Sequence, residues 1–334
     1  MGRPAFDDHS IDRGIDGMKV LVVGFFGEGN LGDEAILQGL TASLGRDSRV
    51  VVTAGNHLQS VRGFRRVPRR GIASWLPFLA CLKECRHVIF AGGIFQDWTV
   101  EGVTFYALRL VAASVSGAVP SLWGAGLGPL RNSLARNISG RALRHTGDCW
   151  MRDAGSVNLF SLLTGRTANL GTDWSWAIPY VPGKKAAGHL TAVNIRPWFD
   201  EKFRRFAIGR FQQIRLLPDS AIGVAARRED EILLLRTFPG FPVRTPGTFA
   251  DLMKLGESLT AGYPMRYHVL LAWLRAGVPV VPLCYDDKVR ALCQEAGIPT
   301  DMGADAFPVV AAPEFCRQSE TRFAEMKAAL DTLK

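Results

Sequence analysis

Apolar residues recur along this chain in two rhythms. Short apolar runs at Val20–Val23, Arg49–Thr53, His87–Ala91, Val119–Trp123 and Asp148–Met151 read as buried strands. Stretches with helical spacing lie between them, among them Ile36, Leu40 and Leu44, then Val100–Ser116 and Asn132–His145. The alternation resumes after residue 188. Leu190–Ile195, Ala221–Ala225, Ser258–Ala261 and Val278–Leu283 read as strands, and the closing helix carries Phe323, Met326, Leu330 and Leu333 on one stripe. Strands that alternate with helices predict parallel sheets covered on both faces. Between the two halves, Ile178–Gly188 reads IPYVPGKKAAG, whose prolines, glycines and lysines mark a linker. The expected organisation is α/β, with two Rossmann-like domains facing a cleft: a disordered tail over 1–17, a first domain over 18–178, a linker over 179–188 and a second domain over 189–334.

Composition narrows the setting. A chain of 334 residues with 47% hydrophobic content suits two such domains. The first 17 residues are polar and acidic, so they are not read as a signal peptide. Phe105–Trp123 is apolar but holds Arg109, Gly117 and Pro120, which favours a helix and then a strand over a membrane span. The six cysteines, Cys81, Cys85, Cys149, Cys284, Cys293 and Cys316, form no C-x-x-C motif and no disulfide framework, and fit a reducing, cytoplasmic setting. There are 40 basic and 31 acidic residues, a net +9. Arginines cluster at Arg62, Arg65, Arg66, Arg69 and Arg70, and again with lysine at Lys202, Arg204, Arg205, Arg210 and Arg215. Such clusters either meet an anionic partner or form a solvated face. No aromatic-interleaved basic motif or zinc-finger spacing supports nucleic acid.

The first strand–loop–helix unit contains Gly27-Glu28-Gly29-Asn30-Leu31-Gly32, which fits the dinucleotide fingerprint G-x-G-x-x-G. That fingerprint needs an acid at the end of the second strand, where this chain has Ala54, Gly55 and Asn56. Asp33 and Glu34 in the first helical turn would also repel a pyrophosphate. The loop is therefore an anion-holding helix start of another kind, or a structural turn. Other candidate chemistry lies at strand ends. In the first half these are Gly92-Gly93-x-x-Gln96-Asp97, Gly124-x-Gly126-x-Gly128-Pro129 and Arg152-Asp153-x-x-Ser156. Arg152 would fork onto a carboxylate or phosphate, or form a local ion pair with Asp153. In the second half the cluster is Tyr263-Pro264-Met265-Arg266-Tyr267-His268, with Pro264 expected in the first turn of a helix running through Leu274. His268 suits a general acid, or a structural role in that helix.

With these motifs in view, the chain resembles the polysaccharide pyruvyltransferases that form ketals on cell-surface polymers. The matching segments are GFFGEGNLGDEAIL at 24–37, FAGGIFQD at 90–97, LWGAGLGPLR at 122–131, MRDAGS at 151–156, GTD at 171–173, NIRPW at 194–198 and MRYHVLLAWLRAGVPVVPLCYDDKV at 265–289. The resemblance implies a GT-B-like fold with phosphoenolpyruvate as donor, a saccharide or lipid-linked oligosaccharide as acceptor, and neither a cofactor nor a metal. It implies that Arg152 and Arg266 hold the donor's carboxylate and phosphate, with Tyr267 and Lys288 beside them, and that His268 acts as general acid or steadies the leaving phosphate. Departures are Tyr267 where the family often has leucine, and Ala91 in place of a third glycine. Asn30, Asp33, Glu34, Gly93, Gln96, Asp97 and Arg196 are acceptor-side or structural loop candidates. Asp33, Glu34 and Asp97 would take protons from the acceptor or cap helices and loops. Lys288 would line the donor pocket or be solvated. The basic surface would suit an anionic membrane or diphosphate carrier at the inner membrane face. A nucleotide-sugar glycosyltransferase on the same scaffold and a non-catalytic family member are the alternatives.

Overall fold

The computed structural model describes residues 19–45, 49–55, 64–183, 190–201, 205, 221–300 and 307–333. The tail at 1–17, the linker's residues 184–188, and Arg62, Lys202, Arg204, Arg210 and Arg215 of the basic clusters lie outside these residues.

The first half runs β1 (Lys19–Phe26), α1 (Leu31–Leu44), β2 (Arg49–Ala54), β3 (Arg65–Pro68), α2 (Trp75–Leu82), β4 (His87–Ile94), α3 (Val100–Val115), β5 (Val119–Leu127), α4 (Ser133–Leu143), β6 (Cys149–Met151), α5 (Ala154–Thr164) and β7 (Asn169–Leu170). Its seven strands are all parallel, in the order β3-β2-β1-β4-β5-β6-β7. Because successive strand residues point to opposite faces, the apolar runs feed two separate cores. Leu21, Val23, Val88 and Phe90 join α2 and α3 on one face. Val20, Val22, Ile89 and Ala91 join α1, Trp123 and Trp174 on the other.

The second half runs β8 (Leu190–Asn194), β9 (Ala221–Val224), α6 (Arg228–Thr237), β10 (Val243–Arg244), α7 (Phe249–Gly256), β11 (Leu259–Pro264), α8 (Tyr267–Arg275), α9 (Asp287–Glu295) and α10 (Pro313–Asp331). Its strands are parallel in the order β10-β9-β8-β11. In both sheets the strand order reverses once, between β1 and β4 and between β8 and β11. Open parallel sheets bind ligands at the carboxyl ends of strands beside such reversals.

Three expectations change. Pro264 does not open a helix. It ends β11, and α8 begins at Tyr267 with Arg266 extended before it. The buried Asn194 side chain accepts from the Met265 and Arg266 amides and holds that turn open. Val278–Leu283 is not a regular strand. The Val281 and Leu283 amides donate to the Gly262 and Pro264 carbonyls of β11, but Pro264 has no N–H to return, so only Val280 bridges, to Gly262 and Val309. Finally, α10 belongs to the segment assigned to the second domain, yet it packs Met326 and Leu330 into the first domain's core with Trp174.

The halves dock directly. The Leu31 amide donates to the Ala226 carbonyl (3.3 Å). Arg275 donates to the Ser175 and Ile178 carbonyls (2.9 and 3.0 Å). The six cysteines are free thiols. No helix among the described residues is long and apolar enough to cross a membrane.

Candidate functional site

The two reversal points face each other across a cavity of about 370 Å³. From the first domain it is lined by Phe25 near the end of β1 and Asn30, Gly32 and Asp33 after it, Gly93, Gln96 and Trp98 at and after the end of β4, and Arg152 after β6. From the second come Arg196, Trp198 and Phe199 after β8, Ala226 and Arg227 after β9, Arg266, Tyr267 and His268 at the start of α8, and Tyr285 and Lys288. The lining thus carries four arginines, a lysine and a histidine against one carboxylate, Asp33.

One lining residue, His268, belongs to an interdomain pair. His268 Nε2 lies 3.2 Å from Asp173 Oδ2, a wholly buried carboxylate whose other oxygen accepts from the Ser175 amide. Arg152 Nη1 reaches the same Oδ2 at 3.4 Å. Burial would raise the Asp173 carboxyl, but His268 and then Arg152 outweigh it and hold the group well below the usual carboxylate range. Arg152 also lies 3.6 Å from Asp153, and its guanidinium sits 4.2 Å from the centre of the Tyr267 ring. No hydrogen-bond acceptor meets its Nε among the described residues. Two glycines make room for this packing. A Cβ on Gly32 would lie 2.0 Å from His268 Nδ1, and one on Gly126 would lie 2.3 Å from Arg152 Nη2.

Arg266 is differently engaged. Its Nε and Nη2 form a bidentate pair with the buried Asp230, 2.5 Å each. Lys288 pairs with Asp286 at 3.3 Å. Arg227 lies 3.4 Å from Glu229 and donates to the Glu28 carbonyl across the cleft. Arg196 donates to the Tyr285 hydroxyl and sits over the Trp198 and Tyr285 rings. Among the described residues it has no carboxylate partner. The sequence groups it with acceptor-side or structural loops, but it stands in the second domain, just after β8. No side chain caps α8, so the first-turn amides of Tyr267, His268 and Val269 open on the cavity with the positive end of the helix dipole.

Among the acceptor-side candidates, Asn30, Asp33, Gly93 and Gln96 line the cavity and Glu34 and Asp97 do not. Burial raises the Asp33 carboxyl against the opposing pull of His268, Lys288, the Asn30 amide and Arg227. Glu34 Oε1 accepts from the Gly27 and Glu28 amides, so the glycine loop spends those donors on its own helix. Asp97 accepts from the Arg131 and Asn132 amides and ties two loops together. In the first basic cluster, Arg69 and Arg70 bind Glu28 and Arg65 binds Glu84. No group of three or more histidine, cysteine or acidic side chains is placed to hold a metal among the described residues.

Sequence reasoning gave no role to Asp173, Asp230 or the aromatic wall at the cavity mouth. GTD at 171–173 enters the resemblance only as a segment. In that wall Phe199 stacks on Trp198 (4.3 Å), and Trp98 crosses from the first domain to meet Trp198 edge-on (5.1 Å, 84°) and Phe199 at 5.4 Å.

A family model described as polysaccharide pyruvyl transferase matches residues 30–287. Comparison with curated proteins finds no match. Similar solved structures are GT-B-type enzymes. S. aureus MnaA in complex with UDP shares 9% identity, with a TM-score of 0.58 over 93% of this chain and 91% of that one. A UDP-GlcNAc 2-epimerase from Neisseria meningitidis bound to UDP-GlcNAc shares 13%, with a TM-score of 0.53 over 92% of each. Phytolacca americana UGT2, complexed with UDP-2fluoro-glucose and pterostilbene, shares 9%, with a TM-score of 0.52 over 93% and 94%. At these identities the likeness establishes the fold alone.

Proposed function

Since the chain belongs to the polysaccharide pyruvyl transferase family, we propose that it moves a pyruvyl group from phosphoenolpyruvate to a saccharide, closing a cyclic ketal and releasing phosphate. The observation that carries this reading is the uncapped start of α8, which opens on a cavity bearing Arg152, Arg196, Arg266, His268 and Lys288. A small, highly anionic acid needs such a site: helix amides for a phosphate and guanidinium donors for a carboxylate. The volume, about 370 Å³, lies at the low end for ligand pockets, which suits a three-carbon donor beside one sugar ring.

The steps follow. A proton is delivered to the methylene carbon of the donor, and the adjacent carbon becomes electrophilic. One acceptor hydroxyl adds there and loses its proton. Phosphate departs with the electrons of its C–O bond, and a second hydroxyl closes the ring, losing the last proton. His268 is the acid, and Asp173 fixes the tautomer and direction of its ring. The first turn of α8 and Arg196 receive the departing phosphate. Arg152 and Arg266 supply positive potential, with Asp173 and Asp230 holding them in place. Asp33, on the opposite domain and with its carboxyl raised, takes the proton of the acceptor hydroxyl. The exposed Phe199 and the half-buried Trp98 and Trp198 stack against the C–H face of the acceptor sugar, whose carbon-bound hydrogens are attracted to the negative face of an aromatic ring.

The test supplies the protein with phosphoenolpyruvate and a panel of saccharide acceptors. Phosphate release that requires both, with a ketal carbon in the product's NMR spectrum, is the expected result. The relatives solved with UDP ligands favour one other reading, nucleotide-sugar transfer. Release of nucleoside diphosphate from a UDP-sugar, with no phosphate from phosphoenolpyruvate, would establish that instead.

A further inference from the structure

Helix α2 is apolar all round. Phe78, Cys81 and Leu82 turn inward and are at most 3% exposed. The outward stripe is apolar too. Ile72 is 91% exposed, Leu76 79% and Leu79 41%, and Ala73 and Ala80 are exposed beside them. Leu76 and Leu79 share one face of α2, Ile72 stands in the 3-10 turn (Ile72–Ser74) that leads into it, and the exposed Lys83 follows its last turn. A soluble surface helix carries polar residues there. This one carries none before Lys83.

The stripe is firmly mounted. Buried Arg109 donates to Ser74 Oγ (3.0 Å) and to the Arg69 carbonyl (3.1 Å), and lies 4.7 Å from the centre of the Trp75 ring. It is flanked by cations. Arg70 is 71% exposed at one end, and Lys83 and Arg86 are exposed at the other. The neighbouring acids are already paired, Glu84 with Arg65 and Lys19, and Glu28 with Arg69 and Arg70. The stripe also flanks the cleft, because Arg69, just before it, lies 4.3 Å from the centre of the ring of Phe25, which lines the cavity.

From this arrangement we infer that α2 is a membrane-docking surface, its apolar stripe entering the headgroup boundary of an anionic bilayer and Arg70, Lys83 and Arg86 pairing with lipid phosphates. A second protein copy fits less well. Eight helical residues span about 12 Å, whereas a stable interface needs about 800 Å² and 20–30 residues from each partner. A bilayer needs only exposed apolar side chains beside positive charge. The inference stands apart from the donor chemistry, since binding is read without phosphoenolpyruvate.

The test is sedimentation of the full chain with vesicles of phosphatidylcholine, and with vesicles of equal parts phosphatidylcholine and phosphatidylglycerol. The wild-type protein is expected to sediment with the mixed vesicles. Ile72→Gln/Leu76→Gln should weaken that partition about tenfold or more. Arg70→Gln/Lys83→Gln should weaken it about tenfold on mixed vesicles and leave phosphatidylcholine binding unchanged. Thermal unfolding should be unaltered, because these side chains face outward. Wild-type protein that stays in the supernatant, or an Ile72→Gln/Leu76→Gln protein that binds as the wild type does, overturns the inference. So does a wild-type dimer, seen by ultracentrifugation, that the same pair of substitutions dissociates without any vesicle binding.

Discussion

His268 on one domain and Asp173 on the other meet across the cleft, Nε2 to Oδ2 at 3.2 Å, with both the carboxylate and its second partner Arg152 buried. In the proposed mechanism, catalysis and domain docking therefore share a contact. His268→Ala should lower turnover by about two to four orders of magnitude, the range for a general acid. Asp173→Asn should lower it as well, and should also destabilise the fold by about 3 kcal/mol, because Arg152 loses a buried counter-charge. Steady-state kinetics and urea unfolding of both variants check this. Normal turnover in either would remove that residue from the mechanism.

Arg196 and Arg266 should separate binding from folding. Arg196 has no carboxylate partner among the described residues, so Arg196→Gln should raise the KM for phosphoenolpyruvate about tenfold or more, a charged hydrogen bond's worth, and leave the unfolding midpoint where it was. Arg266→Gln leaves Asp230 buried and unpaired, and should cost about 3–5 kcal/mol of stability besides weakening the donor. If Arg196→Gln lowered the midpoint and spared the KM, Arg196 would be a structural residue.

Asp33 should leave a signature in the pH dependence of stability. Burial raises its carboxyl in the native state, whereas in the unfolded chain it titrates near pH 4. Between those two values the native protein holds more protons than the unfolded one, so stability falls as pH rises through that window. Asp33→Asn should flatten the fall, measured as urea midpoints from about pH 4 to pH 7, and should slow turnover about a hundredfold. Asp173 acts in the opposite sense: its depressed carboxyl makes stability fall as pH drops below about 4. Identical pH profiles for the wild type and Asp33→Asn would show that Asp33 titrates alike in both states.

The aromatic wall should govern the acceptor alone. Trp98→Ala and Phe199→Ala are each expected to raise the acceptor KM about tenfold, one ring contact's worth, with the donor KM unchanged. Equal effects on both substrates would show that the wall supports the cavity as a whole.

The strands were legible wherever apolar runs were unbroken. β1, β2, β8 and β9 lie where Val20–Val23, Arg49–Thr53, Leu190–Ile195 and Ala221–Ala225 predict them. The glycines misled. His87–Ala91 and Val119–Trp123 were expected to end at Gly92 and Gly124, yet β4 and β5 run on to Ile94 and Leu127, absorbing Gly92 and Gly124 at φ of +81° and +63° with shifts in register. The residue set Arg152, Arg266, His268 and Lys288 was legible as motif, and the fold gathers it around one cavity. Their partners were not. Asp173 meets His268 from 95 positions away and Asp230 meets Arg266 from 36, separations that no local pattern encodes. The aromatic wall was hidden for the same reason, since Trp98 and Phe199 are brought together only by docking of the two domains.

The return of α10 to the first domain has a mechanical result. The polypeptide crosses between lobes twice, once after Ile178 and again on the way to Met326 and Leu330, so two strands of chain stitch the lobes together. A chain ending before Pro313 would expose Trp174, whose neighbour in sequence, Asp173, is the carboxylate that meets His268.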